Sequence, residues 1–102
     1  MRTIPSATTT QLLLVAKWDG AGDGLLLLHN LQRQTASGQF ALPPDVAGQL
    51  GLDSCANYRL ITLTRDRELL SCRAASDLAR AFTLLMPEGQ ERWLARFEPC
   101  DP

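Results

Sequence analysis

The sequence predicts an all-β domain, a two-layer antiparallel β-sandwich with room for one short helix. Three observations carry that expectation. Gln11 to Leu31 holds two strand-length apolar runs, QLLLVAKW and LLLLHNL, joined by Asp19 to Gly24 with the sequence DGAGDG, a composition that reverses a chain as a hairpin. Tyr58 to Thr64, YRLITLT, has the β-branched and aromatic content of a strand. Turn residues separate the short apolar segments at roughly the eight- to twelve-residue spacing of sandwiches and barrels. A chain of 102 residues suits a single domain with one core, residues 1–10 and 99–102 being loose ends.

Taken in order, Met1 to Thr10 is polar, contains Pro5 and ends in three threonines, so it reads as a frayed lead-in. The two runs that follow are nearly continuous in Leu, Val and Ala. Without the alternation of a sheet that has one wet face, they are expected to be buried on both sides or close to it. Gln32 to Gly38, QRQTASG, is a polar loop, and Gln39 to Leu42 is a short strand stopped by Pro43 and Pro44. Asp45 to Leu52, DVAGQLGL, offers two helical turns, with Asp45 as N-cap, Val46 and Leu50 on one face and Gly51 as terminator. Gly48 weakens that helix by about 1 kcal/mol relative to alanine.

After the Tyr58 strand, the charged Arg65 to Glu68 makes a turn and Leu69 to Arg73 returns as another short strand. Ala74 to Met86 admits two readings. Ser76 or Asp77 can cap a helix with Leu78, Ala81, Phe82 and Leu85 on one face, while Phe82 to Met86 alone can be a strand. The helix of the sandwich is therefore placed at Asp45–Leu50 or at Asp77–Phe82. Pro87 to Gln90, PEGQ, is turn chemistry, and Arg92 to Glu98 sets Trp93, Ala95 and Phe97 against Arg92 and Arg96 on opposite faces. A hairpin of Phe82–Met86 with Gln90–Phe97 follows.

Apolar residues at 45% and charged residues at 21% exclude a disordered or fibrous chain. The net charge is −1, and the nine Arg and one Lys are spread along the sequence, so neither nucleic acid nor an anionic membrane is an expected partner. The apolar runs Leu12–Ala16 and Leu25–Leu28 fall far short of the roughly 20 residues of a membrane helix and are too short for a secretory leader. The expected compartment is the cytoplasm. Cys55, Cys72 and Cys100 are odd in number and share no short spacing. They read as reduced structural cysteines, with one Cys55–Cys72 disulfide as the alternative.

The chemistry-bearing residues are sparse. His29, the one histidine, ends an apolar run with no cysteine, serine motif or paired acid at a telling distance, so it reads as a hydrogen-bonded structural residue. Trp93 belongs to the core, and Trp18, beside a turn, is either core or a platform for a sugar ring. Asp19 and Asp23 flank the first turn but lack the D-x-D-x-D-G pattern and distal Glu of a calcium loop. Arg65 to Glu68 is a solvated turn. No catalytic, cofactor-binding or metal site is assigned, and no cofactor is expected.

Two stretches of wording resemble known families. Lys17-Trp18 with its Asp/Gly turn, then LLLLHNL, FALP, LGL, YRLITLTRDREL and the closing FTLLMPEGQERWL, resembles the small C-terminal β-sandwich domain that follows the catalytic barrel in the α-amylase family of glycoside hydrolases and transglycosylases. The likeness runs from about Leu12 to Phe97. It departs at Thr62, where that family usually has Asp. The family's catalytic carboxylates lie in the barrel, so the resemblance implies a non-catalytic accessory module. Its partner would be a protein, either a catalytic domain or a second copy, with carbohydrate as a candidate ligand.

Gly38 to Leu52, GQFALPPDVAGQLGL, is similar to the core of the swapped-hairpin transition-state regulators, which implies as the alternative a small dimeric DNA-binding regulator. Such a protein must neutralise phosphates with Lys and Arg. None lies between Gln34 and Tyr58.

Overall fold

The two Leu-rich runs lie side by side as antiparallel strands, Leu14 opposite Leu28 and Ala16 opposite Leu26. In the computed structural model, which describes residues 2–7, 12–18, 24–31, 34–64, 67–86 and 92–101, they are β2 (Leu12–Trp18) and β3 (Gly24–Asn30) of eight strands and two short helices. The others are β1 (Arg2–Ile4), β4 (Ala36–Phe40), α1 (Pro44–Gln49), β5 (Asn57–Thr62), β6 (Glu68–Ala74), α2 (Ala75–Arg80), β7 (Phe82–Met86) and β8 (Arg92–Pro99). A six-stranded sheet runs β1-β2-β3-β8-β5-β6, and β4 pairs with β7 in a sheet of two. Every pairing is antiparallel. The expected all-β fold is present, with two short helices rather than one.

The core lies between the layers. Leu14, Ala16, Leu26, Leu28, Leu60 and Ala95 of the large sheet meet Phe40, Phe82, Leu84 and Met86 of the small one, while Val46 and Leu50 at α1 and Leu78 of α2 fill the ends. Phe40 and Phe82 pack with ring centroids 6.1 Å apart. β7 alternates buried and exposed residues, as does β4, so each strand gives one apolar face to the interior.

The expected hairpin of Phe82–Met86 with Gln90–Phe97 is not formed. β7 runs beside β4, from Ala36 opposite Met86 to Phe40 opposite Phe82, and β8 lies between β3 and β5 in the other sheet. Alternation fixes which side of a strand faces the core. It does not choose the neighbouring strand, and both Phe82–Met86 and Arg92–Pro99 find matching faces in different layers. The face assignment of β8 is as expected: Ala95 is buried and Trp93 and Phe97 half-buried, while Arg92 and Arg96 are exposed.

The lead-in is also more ordered than its composition implies. Arg2–Ile4 forms an edge strand against Ala16–Leu14 of β2, and Ile4 is buried in the core. In place of a polar loop up to Gly38, β4 begins at Ala36, whose side chain is buried.

The helix at Pro44–Gln49 starts earlier than expected: its N-cap is Pro43, and Asp45 sits inside the first turn, where a carboxylate favours the positive end of the helix dipole. Gly51 ends it as expected, at φ 78°. Its N–H bonds to the Gly48 carbonyl and the Leu52 N–H to the Ala47 carbonyl, the paired bonds of a Schellman cap. The strand β3 needs glycine at its start, because a Cβ on Gly24 would stand 2.9 Å from the Leu50 Cα.

In Ala74–Met86 the helix is Ala75–Arg80 and ends before Ala81, so of its expected face only Leu78 lies in it, while Phe82–Met86 is a strand as in the second reading. α2 is capped at Ala74 with no side-chain bond, so neither Ser76 nor Asp77 is its cap, and the chain becomes extended at Ala81 before β7.

The cysteines depart from both expected arrangements. Cys72 of β6 and Cys100, just after β8, form a disulfide with Cα atoms 5.9 Å apart, and Cys55 is free and exposed. The two bridged residues lie 28 apart in sequence but sit on the strands either side of β5: Asn57 is opposite Ala74, and its carbonyl accepts the Cys100 N–H.

Tyr58 fastens the loop that leads into β5. Its phenolic oxygen accepts the Asp53 N–H at 2.7 Å, and the Asp53 carboxylate accepts the Cys55 N–H. Tyr58 is buried, so Tyr58→Phe leaves that N–H without its partner and is expected to cost about 1–2 kcal/mol. A urea midpoint measures the loss, and faster hydrogen exchange at the Asp53 amide assigns it to this bond.

Candidate interaction face

The side of the large sheet facing away from the core is the chain's most unusual surface. The sequence expectation for β2 and β3 is burial on both sides or close to it. In the structure Leu12, Leu14 and Ala16 are buried but Leu13 and Val15 only half so, and in β3 Leu26 and Leu28 are buried while Leu25 and Leu27 are half-buried. The second covering layer is not supplied by the described elements, since β4, β7, α1 and α2 all contribute to the core on the other side.

The register lines up the outward side chains. Thr3 is opposite Val15, Val15 opposite Leu27 and Leu27 opposite Leu94. Leu63 continues the row through its N–H bond to the Leu94 carbonyl. Leu94 is 42% exposed and Leu63 36%. Neighbouring rows add Leu13 beside His29 and Leu25 beside Lys17. The result is an apolar band across β2, β3, β8 and the end of β5, with Lys17 on one side and Arg92, next to His29, on the other.

At the far corner of this face charges replace the leucines. Arg59 pairs with Glu98 and, at 3.8 Å, with Glu68, and Arg96 meets Glu98 at 3.3 Å. Ile61, opposite Arg96 and near Glu68 in register, is buried among them, consistent with long charged side chains covering apolar surface with their stems. The hydrogen bond from Arg59, helped by its charge and by Arg96, holds the Glu98 carboxyl below its ordinary 4.5.

A lowered folded value means that this pairing contributes stability above pH 4.5 and loses it as pH falls through the folded value. Carboxyl carbon NMR is expected to show Glu98 titrating below 4.5, and Arg59→Met to raise its midpoint. An unchanged midpoint in that variant would remove the assigned cause.

The residues singled out in the sequence do not assemble into a reactive centre. His29 has Leu13 and Arg92 as cross-strand neighbours. Trp18 and Trp93 are both partly buried against the core, and Arg67 lies over the Trp93 ring, 4.9 Å from its centroid. Asp19, Asp23, Arg65 and Asp66 fall outside the described residues. Among the described residues there is no group of three or more His, Cys, Asp or Glu that could hold a metal ion, and no helix long and apolar enough to cross a membrane.

Gly38 to Leu52 does follow the strand, proline, short-helix order of the regulator motif. Yet β4 is paired within its own chain, to β7, which leaves no half-hairpin for a second chain to complete. A cleft of about 300 Å³ lies between the two helices, lined by Leu42, Ala47, Leu52, Ala75 and Ala79 with Ser54 and Ser76. Among the described residues, its hydroxyls are its only side-chain polar groups.

No protein-family model matches the sequence, and no curated protein matches it. The fold has a solved counterpart. The chain is similar to part of a "putative alpha-N-acetylgalactosaminidase" from Bacillus halodurans C-125, with a TM-score of 0.60 and 18% identity over 97% of this chain. It spans 20% of that protein's length. At this identity the likeness establishes a shared fold, that of one portion of a larger glycosidase chain.

Proposed function

We propose that this chain is a non-catalytic β-sandwich accessory module that packs against the catalytic domain of a carbohydrate-active enzyme, of the kind found in the α-amylase family. One observation carries the reading: the middle of the large sheet is apolar on both faces, and the described residues cover one of them. Contiguous exposed apolar surface on a folded domain marks a contact with another protein or a ligand. The likeness to a fifth of a glycosidase chain supports a catalytic domain as the occupant. The Cys72–Cys100 disulfide favours an oxidising compartment over the cytoplasm.

The test mixes the chain with the glycoside hydrolase domain encoded in the same or the adjoining reading frame. Expected is a stoichiometric complex in analytical ultracentrifugation and no turnover of aryl glycosides by the chain alone. Turnover by the chain, or no complex, overturns the proposal. Retention on duplex DNA at about 50 mM salt with a steep loss on adding salt would replace it with the regulator reading.

A further inference from the structure

We infer that the cleft between α1 and α2 is a binding site for a small, uncharged, planar aromatic molecule that carries a hydrogen-bonding group, such as a phenol or an aromatic amide. The cleft shares no residue with the apolar band on the large sheet, so its failure leaves the accessory reading untouched. Its walls are tied to each other at two levels. The Leu42 N–H donates to the Leu78 carbonyl at 2.9 Å, and the Ala75 N–H to the Ala56 carbonyl at 3.0 Å. Ser54 sits in a turn held on both sides, by the Asp53 N–H on the Tyr58 hydroxyl and the Cys55 N–H on the Asp53 carboxylate. The opening of about 300 Å³ therefore exists before anything enters it, which lowers the cost of binding. That volume stands at the small end of the roughly 300–1,000 Å³ of small-molecule pockets.

Gly48 is the residue that the fold does not explain. It lies inside α1, where glycine costs helix stability relative to alanine, and a Cβ there would meet no atom within 4 Å. Among the described residues, neither packing nor a left-handed backbone calls for glycine at this place. What the missing side chain provides is a bare stretch of backbone in the cleft, and the other wall carries only the methyl groups of Ala75 and Ala79. A flat ring can lie close against such a surface. The polar groups decide the rest. Ser54 and Ser76 come from opposite walls, and among the described residues neither hydroxyl has a hydrogen-bond partner. They suit a ring with few polar groups. A sugar, with a hydroxyl on most of its carbons, would leave most of them unpaired against apolar walls. Among the described residues no charged side chain lines the cleft, and of the charged residues next in sequence to its lining, Asp45, Asp53 and Asp77 outnumber Arg80. Carboxylates and phosphates are therefore disfavoured.

The experiment follows amide NMR signals of the full chain as para-hydroxybenzamide is added, with benzoate, cyclohexanol and methyl glucoside as comparison compounds. Expected are saturable shifts at Gly48, Ser54, Ser76 and Ala79, with half-saturation at millimolar concentration or below, and no movement of these signals with the other three compounds. Gly48→Ala should raise the melting temperature and weaken binding at least fivefold, a combination that loss of structure cannot produce. Ala79→Leu, at an exposed position, should weaken binding at least tenfold, and Leu85→Ser on the small sheet should bind as wild type. Thermal melts confirm that each variant is folded, and Gly48→Ala carries the test alone if Ala79→Leu is not. No saturable shift with para-hydroxybenzamide overturns the site. Binding that Gly48→Ala and Ala79→Leu leave unchanged overturns its location. An equal response to benzoate, cyclohexanol or methyl glucoside overturns the uncharged aromatic ligand.

Discussion

Replacing Phe82 by alanine is expected to lower the stability of this chain by about 3–5 kcal/mol, the cost of emptying a fully buried aromatic site. Phe82 is 2% exposed and meets Phe40 across the β4–β7 pair, where both rings point into the space between the layers. Three residues on, Leu85 is 54% exposed on the other side of the same strand. Leu85→Ala removes apolar volume from solvent-facing surface and should cost less than about 1 kcal/mol. Urea midpoints of the two variants read the contrast directly. Equal losses would mean that β7 is covered on both faces, and the two-layer arrangement would fail.

What the sequence made legible follows from how far each signal reaches. The β2–β3 hairpin needs information from adjacent residues alone: two apolar runs and an Asp/Gly connection. The Gly51 terminator is equally local. The pairing of β7 is not, since Ala36, Gly38 and Phe40 lie more than forty residues from their partners and the FTLLM pattern fits any strand with an apolar face. β1 escaped for a related reason. RTI has no strand signature in three residues, and only the tertiary fact that β2 offers a free edge orders it. The Cys72–Cys100 bridge departs both from three reduced cysteines and from the alternative Cys55–Cys72 pair, because spacing in sequence says nothing about two strands that flank a third.

The outward side of β2 and β3 is the informative case. Their unbroken leucine pattern implies strands buried on both sides or close to it, and the described residues bury the inward side fully and the outward side by half. Nothing in QLLLVAKW says whether the second cover comes from the same chain. The half-buried Leu13, Val15, Leu25 and Leu27 answer that among the described residues, and the exposed Leu63 and Leu94 extend the same surface. No individual motif signalled it, because the band is assembled from one or two outward residues on each of four strands.

The second large effect is expected on opening the Cys72–Cys100 bridge. The bond closes a loop of 28 residues that contains α2, β7 and all of β8, and the entropy it removes from the unfolded chain amounts to about 3.5 kcal/mol at this length. For a domain of this size that is a melting-temperature drop of about 15–25 °C. Cys72→Ser, Cys100→Ser and the double variant should all lose the same amount, because each opens one and the same link. Denatured wild type should show one reactive thiol, Cys55, and native wild type should show it too, since Cys55 is exposed. Three thiols without reductant, or a melting temperature that reductant does not move, would return Cys72 and Cys100 to reduced structural residues. The location of the bridge decides what its loss does locally. It joins the strands on either side of β5, at the end of the sheet where Tyr58 holds Asp53 and the Cys100 N–H meets the Asn57 carbonyl. Hydrogen exchange in the reduced protein should therefore rise first at Asn57, Tyr58 and Cys100, and last at Leu14, Leu26 and Leu28 in the middle of β2 and β3.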